Sequence, residues 1–146
     1  MIGFLITGHA AFPDGLMSSV HMIAGEQENV VALNFQENMN LEAFQTTLKN
    51  NVEALLDKNE GVLIFTDLLG GTPFRTAMVI ASEYENVEVV TGTNLPMLLE
   101  ATALRVTDDV HAFVDQLIQV GQEGLQHPQL DLDDEESDHD SFEGGI

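Results

Sequence analysis

The chain has 146 residues, 25 acidic against four basic side chains, a formal net charge of −21 and no cysteine. That length is one domain, and an apolar content of 44% supports a packed core rather than disorder. The missing cysteines exclude a disulfide scaffold, a thiolate zinc site and a cysteine nucleophile, and so few basic residues cannot neutralise nucleic-acid phosphates or an anionic bilayer surface.

Gly3–Thr7 is short, apolar and followed by Gly8, the pattern of a buried strand. The first six residues carry no positive flank and no small-residue cleavage site. They read as the opening of that strand rather than a signal peptide, with the cytoplasm as the expected location. Leu16, Val20 and Ile23 fall on one helical face that ends at Gly25. Val30–Phe35, rich in β-branched residues, predicts a second strand. Asn40 can cap a helix whose apolar stripe is Leu41, Phe44, Leu48, Val52 and Leu55. Val62–Thr66 predicts the third strand, after Gly61. Thr72-Pro73 then predicts a helix with Thr72 as cap and Pro73 at the first helical position, and with Met78 and Val79 on its apolar surface. Val87–Thr91 reads as a fourth strand, Asn94 to about Leu104 as a short helix. A last helix is expected from Thr107 to Val120, with Val110, Phe113, Val114, Leu117 and Ile118 in its stripe. No apolar run approaches the ~18 residues a membrane-spanning helix needs.

From Gln129 onward the chain reads QLDLDDEESDHDSFEGGI, with eight acids and no Lys or Arg, which leaves 17 acids and four bases in residues 1–128. The expectation is a folded, itself acidic domain over 1–128 and a solvated, disordered acidic tail or linker start over 129–146.

Strand–helix alternation at this spacing implies right-handed crossovers, hence an α/β, doubly wound, mainly parallel sheet with helices on both faces. Ligands and chemistry in such sheets sit at the carboxyl ends of the strands, where the strand order reverses. Thr7-Gly8-His9 follows strand one, Asp67-Leu68-Leu69-Gly70-Gly71-Thr72-Pro73-Phe74 follows strand three, and Gly92-Thr93-Asn94-Leu95-Pro96 follows strand four. In a 2-1-3-4 order strands one and three are neighbours, so His9 and Asp67 face each other. An Asp that accepts the proton of one imidazole nitrogen fixes the tautomer and leaves the other nitrogen as a lone pair, fit to be a base, a metal ligand or a nucleophile. Gly70, Gly71 and Thr72 lead into a helix N-terminus, whose free N–H groups and dipole favour an anion, and the Thr72 hydroxyl adds a donor. Singly, a His after a strand, an Asp in a loop and a Gly-Gly turn are unremarkable. Together they point to phosphoryl transfer through a phosphohistidine. No histidine pair has metal-ligand spacing, and neither metal nor cofactor is expected. His21, His111, His127 and His139 read as surface or tail residues.

Through Thr7-Gly8-His9, Gly25-Glu26-Gln27-Glu28-Asn29-Val30, Asp67 to Phe74 and Thr91-Gly92-Thr93-Asn94-Leu95-Pro96-Met97-Leu98-Leu99-Glu100, the chain resembles the IIA component of the mannose-type sugar phosphotransferase system, with its fructose, sorbose, N-acetylgalactosamine and gluconate branches. The resemblance covers residues 2 to about 125. It implies that His9 takes a phosphoryl group from phospho-HPr and hands it to a histidine of a IIB component, which phosphorylates the incoming sugar with membrane IIC and IID proteins. It also implies that Asp67 orients His9 and that Thr72, with Gly70 and Gly71, stabilises the phosphoryl group. A homodimer with an exchanged C-terminal strand is implied too. Gly124–Leu130 would supply that strand as an antiparallel edge, where Pro128 confines it. The chain departs from the family in having Ala10 where Gly is frequent, Arg75 where some relatives have Asn, and the acidic tail. Arg75 is expected to be a solvated helix residue.

Two rivals share the fold class. One is the phosphotransfer subunit of a dihydroxyacetone kinase, against which the Gly-Gly-Thr-Pro-Phe loop argues. The other is a receiver-like signalling domain with Asp67 as acceptor, against which the missing acidic pair after strand one argues.

Overall fold

The computed structural model describes residues 1–132. In chain order these form β1 (Ile2–His9), α1 (Phe12–Ala24), β2 (Val30–Phe35), α2 (Leu41–Leu56), β3 (Gly61–Thr66), α3 (Thr72–Ala81), β4 (Val87–Val90), α4 (Leu95–Leu104) and α5 (Val110–Glu123). The four strands lie in the order β2-β1-β3-β4, every pair parallel. The expected switch point between β1 and β3 is therefore present. No antiparallel edge strand occurs among the described residues. Leu125–Leu130 runs on beyond α5 without pairing, Leu125 and Leu130 exposed.

Alternation along the strands divides the core in two. Ile2, Phe4 and Ile6 of β1, with Leu63 and Phe65 of β3, pack against Met17 and Val20 of α1, Leu98 of α4 and Phe113 and Leu117 of α5. Leu5, Val62 and Ile64 point the other way, onto Phe44, Leu48, Val52 and Leu55 of α2 and Ala77 and Ile80 of α3. Helices thus cover both faces, and both faces of β1 and β3 are buried, which is why these strands read as continuous apolar runs.

Several boundaries and faces differ from expectation. β1 continues through His9 rather than ending at Thr7, because His9 still sits in register with Phe35 of β2. β4 ends at Val90. Gly71, not Thr72, occupies the N-cap of α3, so Pro73 is the second helical residue. Either position suits Pro, since neither needs an intrahelical N–H bond. The last helix begins at Val110 rather than Thr107, where the Asp109 carboxylate accepts from the amides of His111 and Ala112 at 3.0 and 3.2 Å. Asn40 caps α2 as expected, accepting from the Ala43 amide at 3.0 Å. Leu41 shares the stripe's direction but is exposed. It lies a turn beyond Phe44, which already packs on Phe35 at the end of β2. Met78 and Val79 are exposed as well. The buried stripe of α3 is Pro73, Thr76, Ala77 and Ile80, and Met78 and Val79 point more than about 100° away from it at 3.6 residues per turn. Met17 replaces Leu16 as a buried anchor of α1, and Ile118 lies at the rim of the α5 stripe.

No helix among the described residues is long and apolar enough to cross a membrane. The boundary expected at residue 128 falls within the irregular stretch after α5. All the acids of the tail except Asp131, and His139 with them, lie outside the described residues.

Candidate active site

Parity along β1 places His9 on the same face as Leu5 and Thr7, above α2 and α3. The Thr7 hydroxyl donates to the Leu33 carbonyl at 2.8 Å, stitching β1 to β2 two residues before His9. Thr7 pairs with Thr66 of β3, so Asp67 emerges beside His9 one step past the strand end. Asp67 Oδ2 then accepts twice from one residue: from the His9 backbone N–H at 2.8 Å and from ring Nδ1, also at 2.8 Å. The first bond anchors the carboxylate to the strand. The second selects the tautomer with the proton on Nδ1. His9 Nε2 makes no hydrogen bond to a described residue, and the side chain is 47% exposed while that of Asp67 is 12% exposed.

Burial pushes the Asp67 carboxyl up. The His9 amide, the His9 ring hydrogen bond and its charge, and the Leu68 amide outweigh it and hold the group below its ordinary value. The carboxylate is therefore charged at neutral pH, where it faces any positive charge the neighbouring imidazole gains.

Close approaches explain two glycines. A Cβ on Gly8 would stand 2.9 Å from both Asp67 Cγ and the Phe12 ring, so a side chain there would displace the carboxylate. A Cβ on Gly71 would stand 2.8 Å from His9 Cε1 and 3.6 Å from Nε2, so the turn before α3 lies directly against the ring edge that carries the free nitrogen. Gly70, at φ +83°, makes that turn possible.

The N-terminus of α3 supplies donors next to this nitrogen. The Gly71 amide is used by the Leu68 carbonyl at 3.1 Å, and Pro73 has none, so the Thr72 and Phe74 amides are the first-turn donors with no intrahelical partner. Because Gly71 takes the N-cap, the Thr72 hydroxyl makes no capping bond. Of the residues singled out in the sequence, His9, Asp67 and Gly71 meet directly. Thr72 is next to them in the chain, with no hydrogen bond to either, and Gly70 lies on the exposed turn. Arg75 is an exposed residue of α3.

Phe35 carried no signal as a site residue in sequence. It is the register partner of His9, its carbonyl accepts from the Ala10 amide at 2.9 Å, and its ring meets the imidazole edge-to-face, centroids 6.0 Å apart and planes at 85°. Ala10 has φ 52°, in the left-handed region where a Cβ is strained, which is the physical reason Gly suits the position after the histidine.

The other histidines lie elsewhere. His111 bridges to the Glu88 carboxylate through Nδ1 and to the Glu85 carbonyl through Nε2 at 2.9 Å, tying α5 to β4 and the turn before it. His21 is exposed on α1 and His127 is exposed after α5. Among the described residues no group of three or more His, Cys, Asp or Glu is placed to hold a metal ion.

A nucleophilic nitrogen at a switch point, a charged carboxylate behind it and helix-start amides beside it can accept, hold and release an anionic group. Residues 3–118 match a family profile described as "EIIA-man: PTS system fructose IIA component". The fructose-specific EIIA component of Bacillus subtilis (strain 168) is 32% identical over 133 residues, covering 86% of this chain and 90% of that protein. The mannose-specific EIIAB component of Escherichia coli (strain K12) is 36% identical over 130 residues, 86% of this chain but 39% of that longer protein. A crystal structure of the phosphotransferase system component EIIA from Streptococcus agalactiae superposes with a TM-score of 0.79 at 37% identity, covering 87% of this chain and 97% of that one.

Proposed function

The chain belongs to the mannose/fructose IIA family of the sugar phosphotransferase system, and from that premise we propose that His9 carries its phosphoryl group, with Asp67 orienting the ring. As an IIA component the chain is a phosphotransferase component, a relay between HPr and a IIB component in sugar uptake. Membership in the sugar system disfavours both the dihydroxyacetone-kinase subunit and the receiver-like domain.

One observation carries the assignment of the residue. His9 Nδ1 is held by Asp67 Oδ2 at 2.8 Å while Nε2 is open beside the start of α3. In the forward step the Nε2 lone pair forms a bond to phosphorus as the bond from phosphorus to the donor's nitrogen breaks, and that electron pair leaves with the donor. His9 keeps its Nδ1 proton and becomes a phosphorylated imidazolium, whose positive charge the Asp67 carboxylate faces. The phosphoryl oxygens meet the Thr72 and Phe74 amides, the Thr72 hydroxyl and the positive end of α3. Transfer to IIB reverses these steps with the acceptor's nitrogen as nucleophile. Arg75 is left as a surface residue and the body's acidity as an attraction for basic docking faces.

The same reading extends to assembly and location. β4 is a sheet edge, and beside it lies a groove lined by Val89, Met97, Ile118 and Leu125. The stretch Gly124–Leu130 has the length to add a strand there in a homodimer, with Pro128 confining it to an edge or to the strand's end. The relay works in the cytoplasm, passing its phosphoryl group to IIB, which phosphorylates the incoming sugar together with membrane IIC and IID.

The test is phosphorylation by phosphoenolpyruvate, Enzyme I and HPr, with wild type beside His9→Ala. We expect one acid-labile phosphoryl group per chain on wild type and none on a folded His9→Ala. An adduct that survives in His9→Ala overturns the assignment.

A further inference from the structure

The contacts around His9 leave one degree of freedom to be explained. The torsion that turns an imidazole about its Cβ–Cγ bond is broad, so the side chain itself does not select a ring plane. Asp67 holds Nδ1 through a single ring hydrogen bond at 2.8 Å, whose tolerance in length and angle still lets the ring rock about that torsion. Gly71 closes off the Cε1 edge, and being glycine it offers no side chain to grip the ring. Another neighbour is Phe35, whose ring stands nearly perpendicular to the imidazole at 6.0 Å between centroids. Phe35 is itself braced. Its ring packs on Phe44 at 4.8 Å and 61°, and Phe44, on α2, is 1% exposed in the core. Its backbone is tied to His9's through the β1–β2 register and the Ala10 amide. A line of contacts therefore runs from the rigid core, through Phe44 and Phe35, to the half-exposed imidazole.

We infer that Phe35 is a positioning residue for phosphoryl transfer: its edge-to-face contact sets the plane of the His9 ring, so that the Nε2 lone pair is aimed along the line of attack while Nδ1 stays on Asp67. The inference rests on His9 being the phosphoryl acceptor. In-line transfer depends on alignment of lone pair and phosphorus, and small errors of aim are costly in rate. Because the imidazole is 47% exposed, solvent does not supply this restraint. The effect works in both directions of the relay, since arrival and departure use the same nitrogen.

The experiment is single-turnover phosphoryl transfer from phospho-HPr, over a range of donor concentrations, for wild type, Phe35→Leu, Phe35→Tyr and His9→Ala. Leucine keeps apolar contact with Phe44 but removes the aromatic ring, and tyrosine restores it. We expect Phe35→Leu to lower the maximal rate roughly tenfold, about the size of a lost aromatic pair expressed as a rate. The half-saturating donor concentration and the melting temperature per folded molecule should stay close to wild type, and Phe35→Tyr should recover most of the rate. Wild-type rates in Phe35→Leu overturn the inference. So does a loss that appears only in the half-saturating concentration, which would make Phe35 a docking contact, or one that follows the unfolded fraction, which would make it merely structural. Failure of the underlying reading looks different: wild type would then carry no phosphoryl group that His9→Ala abolishes.

Discussion

At the carboxyl end of the sheet His9 engages one ring nitrogen and leaves the other open, half-exposed, beside a helix start. At the amino end Arg105, 5% exposed, directs Nε and Nη2 to the Ile2 carbonyl at 3.2 and 2.9 Å, Nη1 to Glu28 O at 2.6 Å and Nη2 to Asn29 O at 3.1 Å, with its guanidinium 4.4 Å from the Phe4 ring centroid. Burial pulls the Arg105 pKa down, partly offset by the Glu28 charge, yet no carboxylate among the described residues bonds to it. Carbonyls that begin β1 and precede β2 solvate the charge instead. Both sites exploit the ends of parallel strands, where backbone groups run out of ladder partners. Arg105 is nearly saturated and so serves the fold. His9 is half satisfied, and its open nitrogen is what the proposed transfer requires.

Asp67→Asn strikes this contrast hardest. An amide can present N–H to His9 Nδ1 and favour the wrong tautomer, so transfer should slow by about 10²- to 10⁴-fold while the fold persists. Rapid-quench transfer alongside circular dichroism checks it, and wild-type kinetics would remove Asp67 from the orienting role. Arg105→Ala should do the reverse. It removes the guanidinium donors from the Ile2, Glu28 and Asn29 carbonyls, of which Asn29 keeps the Phe4 amide, and leaves a cavity against Phe4, at a cost of about 3 kcal/mol in urea unfolding, with phosphoryl transfer per folded molecule unchanged. A variant as stable as wild type would show that water replaces the guanidinium at no cost.

Ala10→Gly is a smaller change next to the proposed phosphoryl acceptor. Relief of the left-handed strain at φ 52° should stabilise the fold by about 1 kcal/mol, measured as a shift in the urea midpoint. A destabilised variant would mean the methyl group packs usefully there. The smallest effect concerns pH. The Glu88 hydrogen bond, against a little desolvation, raises the His111 pKa, with further help from the charge of Glu88, the Glu85 carbonyl and Asp109. A raised pKa gives stability that is fully present below the ordinary value of 6.5 and is lost as pH rises through the folded value. His111→Gln should therefore melt below wild type at about pH 5.5 and converge with it by about pH 8.5. Asp67 behaves oppositely. Its lowered pKa contributes above the ordinary carboxylate value and fades as pH falls through the folded one. A constant gap between wild type and His111→Gln across that range would contradict the bridge.

Much of the site was legible because each part has a local signature. A strand end, a His, an Asp at the next strand end and a Gly-Gly-Thr-Pro helix start are all local patterns, and the βαβ rules bring the two strands together. Where local signals failed, the reason is specific. Thr-Pro fits a helix at two registers one residue apart, and only the turn packed against the His9 ring puts Gly71 at the cap. Met78 and Val79 drew attention as large apolar residues, although the helical period ran through the smaller Thr76 and Ala77. Phe35 read as one more strand residue.

The sequence by itself determined the element order, the parallel sheet, the two-faced core and the meeting of His9 with Asp67, because periodicity, caps and turn residues act over a few positions. Tertiary structure alone decided that Phe35 meets the imidazole edge-to-face, that Gly8 must be bare for the Asp67 carboxylate to lie beside it, and that Arg105 is buried among carbonyls 76 to 103 residues away in the chain. Those facts depend on strand register and on which loops meet at each sheet end, and no window of neighbouring residues records such distances.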